Sequence, residues 1–264
     1  MISARDLVKK FGDLTAVKSI SFNVAQGEIF AFLGPNGAGK TTTIKMLTTL
    51  LLPTSGSVEL DGLNPVVERS EARKRFGIVF QDPSLDDELT AYENMDFHGI
   101  LYSVARKARQ TRIAELLNLF ELWDRRNDPV KQFSGGMKRR LEIARSLLHT
   151  PKIIFLDEPT IGLDPQTRNQ LWTHVKKLNE EENVTVFLTT HYMEEAERVA
   201  QRIAIIDHGV IVAQGTPEEL KKQTGAETLE GAFLSLTGSS IRQEDASGID
   251  KMRNMARAWR GNRR

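Results

Sequence analysis

Gly34-Pro35-Asn36-Gly37-Ala38-Gly39-Lys40-Thr41 is the stretch on which the fold turns. The apolar run Ile29-Phe30-Ala31-Phe32-Leu33 leads into it, and Thr42-Thr43-Ile44-Lys45-Met46-Leu47 follows with helix-compatible composition. This predicts a strand, a loop and a helix in succession. The spacing is G-x-x-x-x-G-K-[ST], in which each residue type has a physical task. Gly34, Gly37 and Gly39 allow backbone angles closed to other residues and put no side chain in the way. Backbone N–H groups of the loop, with Thr42 and the positive end of the helix dipole, then face a polyphosphate. Lys40 reaches the β and γ phosphates, and the Thr41 hydroxyl is a Mg²⁺ ligand. A plain glycine-rich turn is the bland alternative. The joint placement of glycines, lysine, threonine and upstream strand argues against it.

Composition bounds the rest. A chain of 264 residues can bury a large core, either as one domain or as a domain with an inserted subdomain. Lys and Arg number 36 against 35 Asp and Glu, a net charge of +1, so no whole-molecule field favours nucleic acid or acidic lipid. The absence of cysteine excludes disulfides, thiolate metal sites and cysteine nucleophiles. No apolar run approaches the roughly 18 to 20 residues needed to span a bilayer, and the N-terminus lacks a secretory pattern. A soluble, cytoplasmic chain is expected, with any membrane role supplied by a second polypeptide.

Ahead of the phosphate loop, Ile20, Phe22 and Val24 alternate with Ser19, Ser21 and Asn23, which predicts antiparallel strands over 1–27 with a turn at Gly12-Asp13. After it, a helix over about 40–50 should stop near Pro53-Thr54-Ser55-Gly56. Strands are expected at about 57–61 and 76–80, with a helix around Val66 to Lys74 between them. From Thr90 the pattern turns helical: Thr90-Ala91-Tyr92-Glu93 has capping-box spacing, and Ile113, Leu116, Leu117 and Phe120 share a face. A helical subdomain over about 82–150 therefore interrupts an α/β core.

Ser134-Gly135-Gly136 opens a further helix. Ile153-Ile154-Phe155-Leu156-Asp157-Glu158 is an apolar strand that delivers two carboxylates at its C-terminal end, the edge where doubly wound sheets bind ligands. Asp164-Pro165 starts a helix, Val184 to Leu188 is another buried strand running into Thr189-Thr190-His191, and Asp207-His208-Gly209 marks a hairpin. Thr216-Pro217-Glu218-Glu219 is a second capping box, and Leu229, Phe233 and Leu236 mark a last short helix before Gly238.

Residues 1–238 together resemble the nucleotide-binding subunit of ABC transporters. Five motifs stand in the family's order: 34 to 41, Gln81, Ser134-Gly135-Gly136, Asp157-Glu158 with Gly162-Leu163-Asp164, and His191. The resemblance implies an α/β phosphate-loop NTPase core carrying an N-terminal antiparallel β subdomain and an inserted helical subdomain. It implies ATP and Mg²⁺ as ligands, with Asp157, Thr41 and Gln81 around the metal and Glu158 as general base. His191 is then a switch residue near the γ phosphate, and Gln81 a hinge between nucleotide and helical subdomain. Phe11, in isolation equally an aromatic packing at a strand end, falls where the family stacks adenine. Ser134, Gly135 and Gly136 form a second phosphate cradle at a helix N-terminus. One molecule does not need two cradles, so two copies related by a twofold axis would sandwich two ATP. Asp164 is similar to the family's dimer-facing residue.

Phe133 and Met137 depart from the leucine and glutamine usual at the ends of that motif. The wording Phe133-Ser134-Gly135-Gly136-Met137, Leu47-Thr48-Thr49-Leu50-Leu51 and Thr160-Ile161-Gly162-Leu163-Asp164-Pro165 resembles the drug and polysaccharide exporter branch. The expected partners are a second copy and separate transmembrane permease subunits that hold the chain on the inner face of the membrane. The rival reading, a soluble ABC ATPase acting on nucleic acid or ribosomes, would want a second nucleotide-binding unit, coiled coils, zinc cysteines or a basic face; a phosphate-loop kinase would leave Ser134 to Gly136 and His191 without a task. Beyond a polar linker at Ser239 to Gly248, the tail carries Lys251, Arg253, Arg257, Arg260, Arg263 and Arg264 without an acid. It is either an amphipathic helix for anionic lipid or a partner, or a plain basic extension.

Overall fold

The computed structural model describes residues 1–238; the linker and basic tail expected over 239–264 lie outside the described residues. β1 (Ile2–Phe11) and β2 (Leu14–Val24) pair antiparallel across Gly12-Asp13, as their alternation predicts. β3 (Ile29–Leu33) feeds the phosphate loop and α1 (Lys40–Leu47) leaves it. β4 (Ser55–Leu60) returns to the other edge of β1, and α2 (Arg69–Arg75) leads into β5 (Phe76–Val79). The helical insertion comprises α3 (Ala91–Leu101), α4 (Arg106–Leu119), two short 3-10 turns and α5 (Gly135–Ser146). Then follow β6 (Ile153–Asp157), α6 (Pro165–Glu182), β7 (Thr185–Thr190), α7 (Met193–Val199), β8 (Arg202–Asp207), β9 (Val210–Gly215), α8 (Pro217–Thr224) and α9 (Leu229–Thr237).

The strands form a three-stranded antiparallel sheet, β2-β1-β4, and a six-stranded sheet, β5-β6-β7-β3-β8-β9, parallel except for β9. Every residue of β3, β6 and β7 is buried, which is why their sequences run apolar without alternation. Between the two sheets, Phe22 of β2 lies 5.5 to 5.9 Å, ring to ring, from Phe30, Phe32 and Phe187 of the parallel sheet. On the other face the helices bury Leu116, Leu141, Trp172 and Leu178 against Leu33, Leu156 and Leu188. The α/β core with an antiparallel subdomain and a helical insertion is the predicted fold class.

Boundaries differ for local reasons. α1 ends at Leu47 because the Thr48 N–H and hydroxyl both donate to the Ile44 carbonyl and close the last turn. Ser55 and Gly56, read as a turn, belong to β4: Gly56 has φ 86°, and a Cβ there would stand 2.3 Å from the Asp6 carbonyl of β1. α2 begins at Arg69 rather than Val66 because Asn64 Oδ1 accepts the Val66 N–H and holds a turn first. α4 starts at Arg106, and because its first two turns are polar its buried apolar face begins only at Ile113. His208 and Gly209, both at positive φ, make the two-residue hairpin turn joining β8 to β9. Among the described residues, no helix is long and apolar enough to cross a membrane.

Candidate active site

Three adjacent parallel strands end at one edge. β3 delivers the phosphate loop, β6 delivers Asp157 and Glu158, and β7 delivers Thr189, Thr190 and His191. Side chains along these strands are spent on the core, so chemistry begins only where each strand stops.

The loop geometry explains two glycines directly. A Cβ at Gly34 would stand 2.3 Å from the Ile206 carbonyl, and one at Gly39, where φ is 106°, would stand 2.8 Å from the Ala16 carbonyl. Gly39 is the N-cap of α1 and has no side chain to satisfy the first helical N–H groups, which stay available to an anion. Pro35, Asn36, Gly37 and Ala38 complete the loop, and Thr42 lies half-buried in the first turn of α1. Lys40 is buried; its Nζ donates to the carbonyls of Gly34 at 2.7 Å and Pro35 at 3.1 Å and lies 3.1 Å from Glu158 Oε1.

Asp157 is 1% exposed. Its Oδ1 accepts the hydroxyls of Thr189 at 2.6 Å and Thr41 at 3.2 Å. Its Oδ2 is buried without a hydrogen-bond partner among the described residues. A buried carboxylate oxygen left open beside a threonine hydroxyl is a donor set that fits a hard divalent cation. Glu158 has φ 49°, which turns its side chain out of the strand direction, and its N–H donates to Thr189 Oγ1 at 3.0 Å. One Thr189 hydroxyl thus fixes both acids, a function the sequence reading did not assign to it.

Glu158 Oε2 lies 2.8 Å from His191 Nδ1, which puts the proton on Nδ1 when the carboxylate is ionised. Burial is the largest influence on the Glu158 pKa and pushes it up. The hydrogen bond from His191 and the charges of Lys40 and His191 together outweigh burial, so the carboxyl is held below its ordinary value.

Gln81 follows β5 and is exposed. Its side chain makes no hydrogen bond among the described residues; its carbonyl accepts from Arg139 of α5 at 3.2 Å, and the same guanidinium donates to the Phe80 carbonyl at 2.6 Å. Ser134 caps α5 through the Met137 N–H at 3.3 Å, beside the exposed Gly135. No hydrogen bond links Ser134, Gly135 or Gly136 to the phosphate loop among the described residues; Gly136 packs on Thr167 of α6, where a Cβ would stand 2.3 Å from Cγ2. Phe11 is 45% exposed at the end of β1, with Lys9 Nζ 5.0 Å from its ring centre. Asp164 caps α6 through the Thr167 N–H. Of the other histidines, His98, His149 and His174 are built into the helical layer and His208 sits on a turn. Arg139 and Glu195, both buried and both tied to site loops, escaped the sequence reading because charged residues on helices ordinarily face water.

A glycine-rich loop at a helix N-terminus, a buried aspartate with one oxygen open and an adjoining glutamate define a phosphate-loop nucleoside triphosphatase. Residues 17–161, more than half of the chain, match the family described as ABC transporter. The chain belongs to that family and is one of its ATP-binding, ATP-hydrolysing subunits. The linearmycin resistance ATP-binding protein LnrL of Bacillus subtilis is 42% identical over 243 residues, covering 92% of this chain and 76% of that protein. The Nod factor export ATP-binding protein I of Ralstonia nicotianae is 40% identical, covering 94% and 79% respectively. A solved dimeric, post-hydrolysis ATP-binding cassette bound to ADP and Pi superposes with a TM-score of 0.73 at 32% identity, covering 82% of this chain and 98% of that one.

Proposed function

We propose that this chain is the ATPase of an export transporter, working as a twofold dimer that drives separate membrane-spanning subunits from the inner face of the membrane. The observation that carries the reading is the line Lys40, Glu158, His191 beside the open Oδ2 of Asp157, set on one sheet edge while Ser134 caps a helix elsewhere. Residues 34 to 42 bind the phosphates, Phe11 stacks on the base, and Thr41, Asp157 and the side chain of Gln81 would hold Mg²⁺. When bound, Mg²⁺ would supply charge neutralisation on the phosphate oxygens. Glu158, ionised because of Lys40 and His191, takes the proton of the attacking water, and His191 holds its carboxylate in place. Ser134, Gly135 and Gly136 of a second copy complete the γ-phosphate cradle.

The names of the relatives, resistance and export proteins among them, favour export over action on nucleic acid or ribosomes. On α3, Phe97, Ile100 and Leu101 are 53 to 65% exposed, an apolar stripe suited to a permease segment. The sequence unit for this work is 1–238, with the basic tail beyond it a further membrane or partner contact. Glu158→Gln with ATP and Mg²⁺ should accumulate dimers on sizing chromatography or light scattering; monomers at saturating nucleotide would overturn the dimer.

A further inference from the structure

Glu195 is 4% exposed on α7, a seven-residue helix that Ala196 and Val199 already anchor by apolar burial. Its carboxylate gathers two hydroxyl donors and one ion pair from three separate segments. Thr160 Oγ1 lies 2.7 and 2.9 Å from its two oxygens, Thr190 Oγ1 lies 3.3 Å from Oε2, and Arg168 Nε of α6 lies 3.1 Å from Oε1. Thr160 stands two residues after Glu158, and Thr190 immediately precedes His191. Thr190 Oγ1 also accepts the Tyr192 N–H at 3.0 Å, and the Tyr192 ring lies 4.0 Å from the His191 ring and 4.5 Å from the Arg168 guanidinium.

We propose that Glu195, clamped by Arg168, is a positioning residue for ATP hydrolysis. It locks the loop after Glu158 and the loop carrying His191 into one register, and so sets the contact between Glu158 Oε2 and His191 Nδ1. A carboxylate is costly to bury, and a packed apolar side chain of similar volume would serve stability as well. What apolar packing cannot do is hold two hydroxyls from different loops at fixed separation. The payoff lies in chemistry, since misplacing a reacting group by about 1 Å costs on the order of 10²-fold in rate. Arg168 closes the first turn of α6, its N–H donating to the carbonyl of the cap residue Asp164 at 3.0 Å. Movement at that cap therefore reaches His191 through Arg168 and Glu195. The inference rests on the roles given above to Glu158 and His191.

The test uses the full chain carrying Glu195→Gln, Thr160→Val or His191→Ala, and the pair Glu195→Gln with His191→Ala. Glu195→Gln keeps volume but turns one acceptor oxygen into an N–H donor and loses the charge facing Arg168; Thr160→Val removes one donor and leaves Glu195 intact. Each should lower kcat about 10-fold with the ATP KM and binding of a fluorescent ATP analogue within about twofold, because only positioning is lost. In the His191→Ala background, Glu195→Gln should cost less than about twofold, the non-additivity of residues acting through one another. Unchanged kcat in Glu195→Gln and Thr160→Val, or costs that multiply fully in the pair, would overturn the proposal; a loss of melting temperature with kcat intact would make Glu195 structural only. Glu158→Gln run in parallel separates the layers: if it hydrolyses ATP normally, the base assignment itself has failed, whatever Glu195 does.

Discussion

Lys40 Nζ lies 3.1 Å from Glu158 Oε1, with both side chains no more than 7% exposed. The lysine proposed to reach for phosphate and the acid proposed to activate water thus neutralise each other at the edge of the sheet. Phosphate oxygens and Glu158 must compete for the same ammonium group, whose other contacts are the Gly34 and Pro35 carbonyls. Glu158→Gln removes the competitor and the base together. Hydrolysis should fall by about 10² to 10⁴-fold, the usual worth of a positioned base, while ATP affinity holds or rises. Phosphate release and titration with a fluorescent ATP analogue check both; turnover within a fewfold of the parent rules out Glu158 as the base.

The same pair bears on stability. Removing one partner of a buried ion pair leaves an uncompensated charge and costs about 3 to 5 kcal/mol, whereas removing both costs far less. Lys40→Met should therefore lower the denaturant midpoint of the nucleotide-free protein more than Lys40→Met combined with Glu158→Gln. Equal midpoints would mean that the pair is open to solvent in solution.

Acid sensitivity should come from a second cluster. The Tyr102 ring stacks on His149 at 3.8 Å, His98 lies 4.8 Å from Tyr102, and His149 Nε2 is 3.0 Å from the Phe76 carbonyl. Burial pushes the His98 pKa down to about 3, helped by the charges of Arg145 and His149. Burial likewise pushes His149 down to about 4, against the hydrogen bond to Phe76. Both are therefore neutral when folded and free to protonate, near pH 6.5, when unfolded. Between pH 6.5 and 4 the unfolded chain binds more protons, so stability is complete above about 6.5 and falls as pH drops. Urea midpoints at pH 7, 6 and 5 should decline, and His98→Phe should flatten the decline. A flat profile in the parent protein would mean that the rings are solvated.

The phosphate loop was legible because its demands are local: glycines where a Cβ would strike Ile206 or Ala16, then lysine and threonine at the start of a helix. Asp157, Glu158 and Ser134 were legible for the same reason, each standing where a strand ends or a helix begins. Thr189 was not, since a threonine at a strand end is ordinary and only the parallel register with Asp157 gives its hydroxyl two acids to hold. Glu195 follows another acid in Met193-Glu194-Glu195 and looks like a solvated helix face; tertiary packing alone turns it inward. Arg139 is hidden in the same way, its guanidinium buried under the Gln81 loop.

Ser134 caps α5 and makes no hydrogen bond to the phosphate loop of its own chain among the described residues, which leads to the sharpest expectation. If Ser134 serves the nucleotide held by the other copy, Ser134→Ala disables the partner's site, while Glu158→Gln disables its own. Each variant alone forms dimers in which both sites are defective. Mixed, a Glu158→Gln chain lends its intact Ser134 to the site where the Ser134→Ala chain supplies phosphate loop and Glu158, so one site of the heterodimer is whole. With random twofold pairing of equal amounts, half of the dimers carry one good site, and activity should return to about a quarter of the parent value if the sites act independently. Steady-state phosphate release, measured for each variant and then for the mixture, reads this directly. Recovery in the mixture cannot arise within single chains, because no chain in it has both residues. Activity of the mixture equal to the mean of the separate variants would show that Ser134 acts on its own chain's nucleotide or on none.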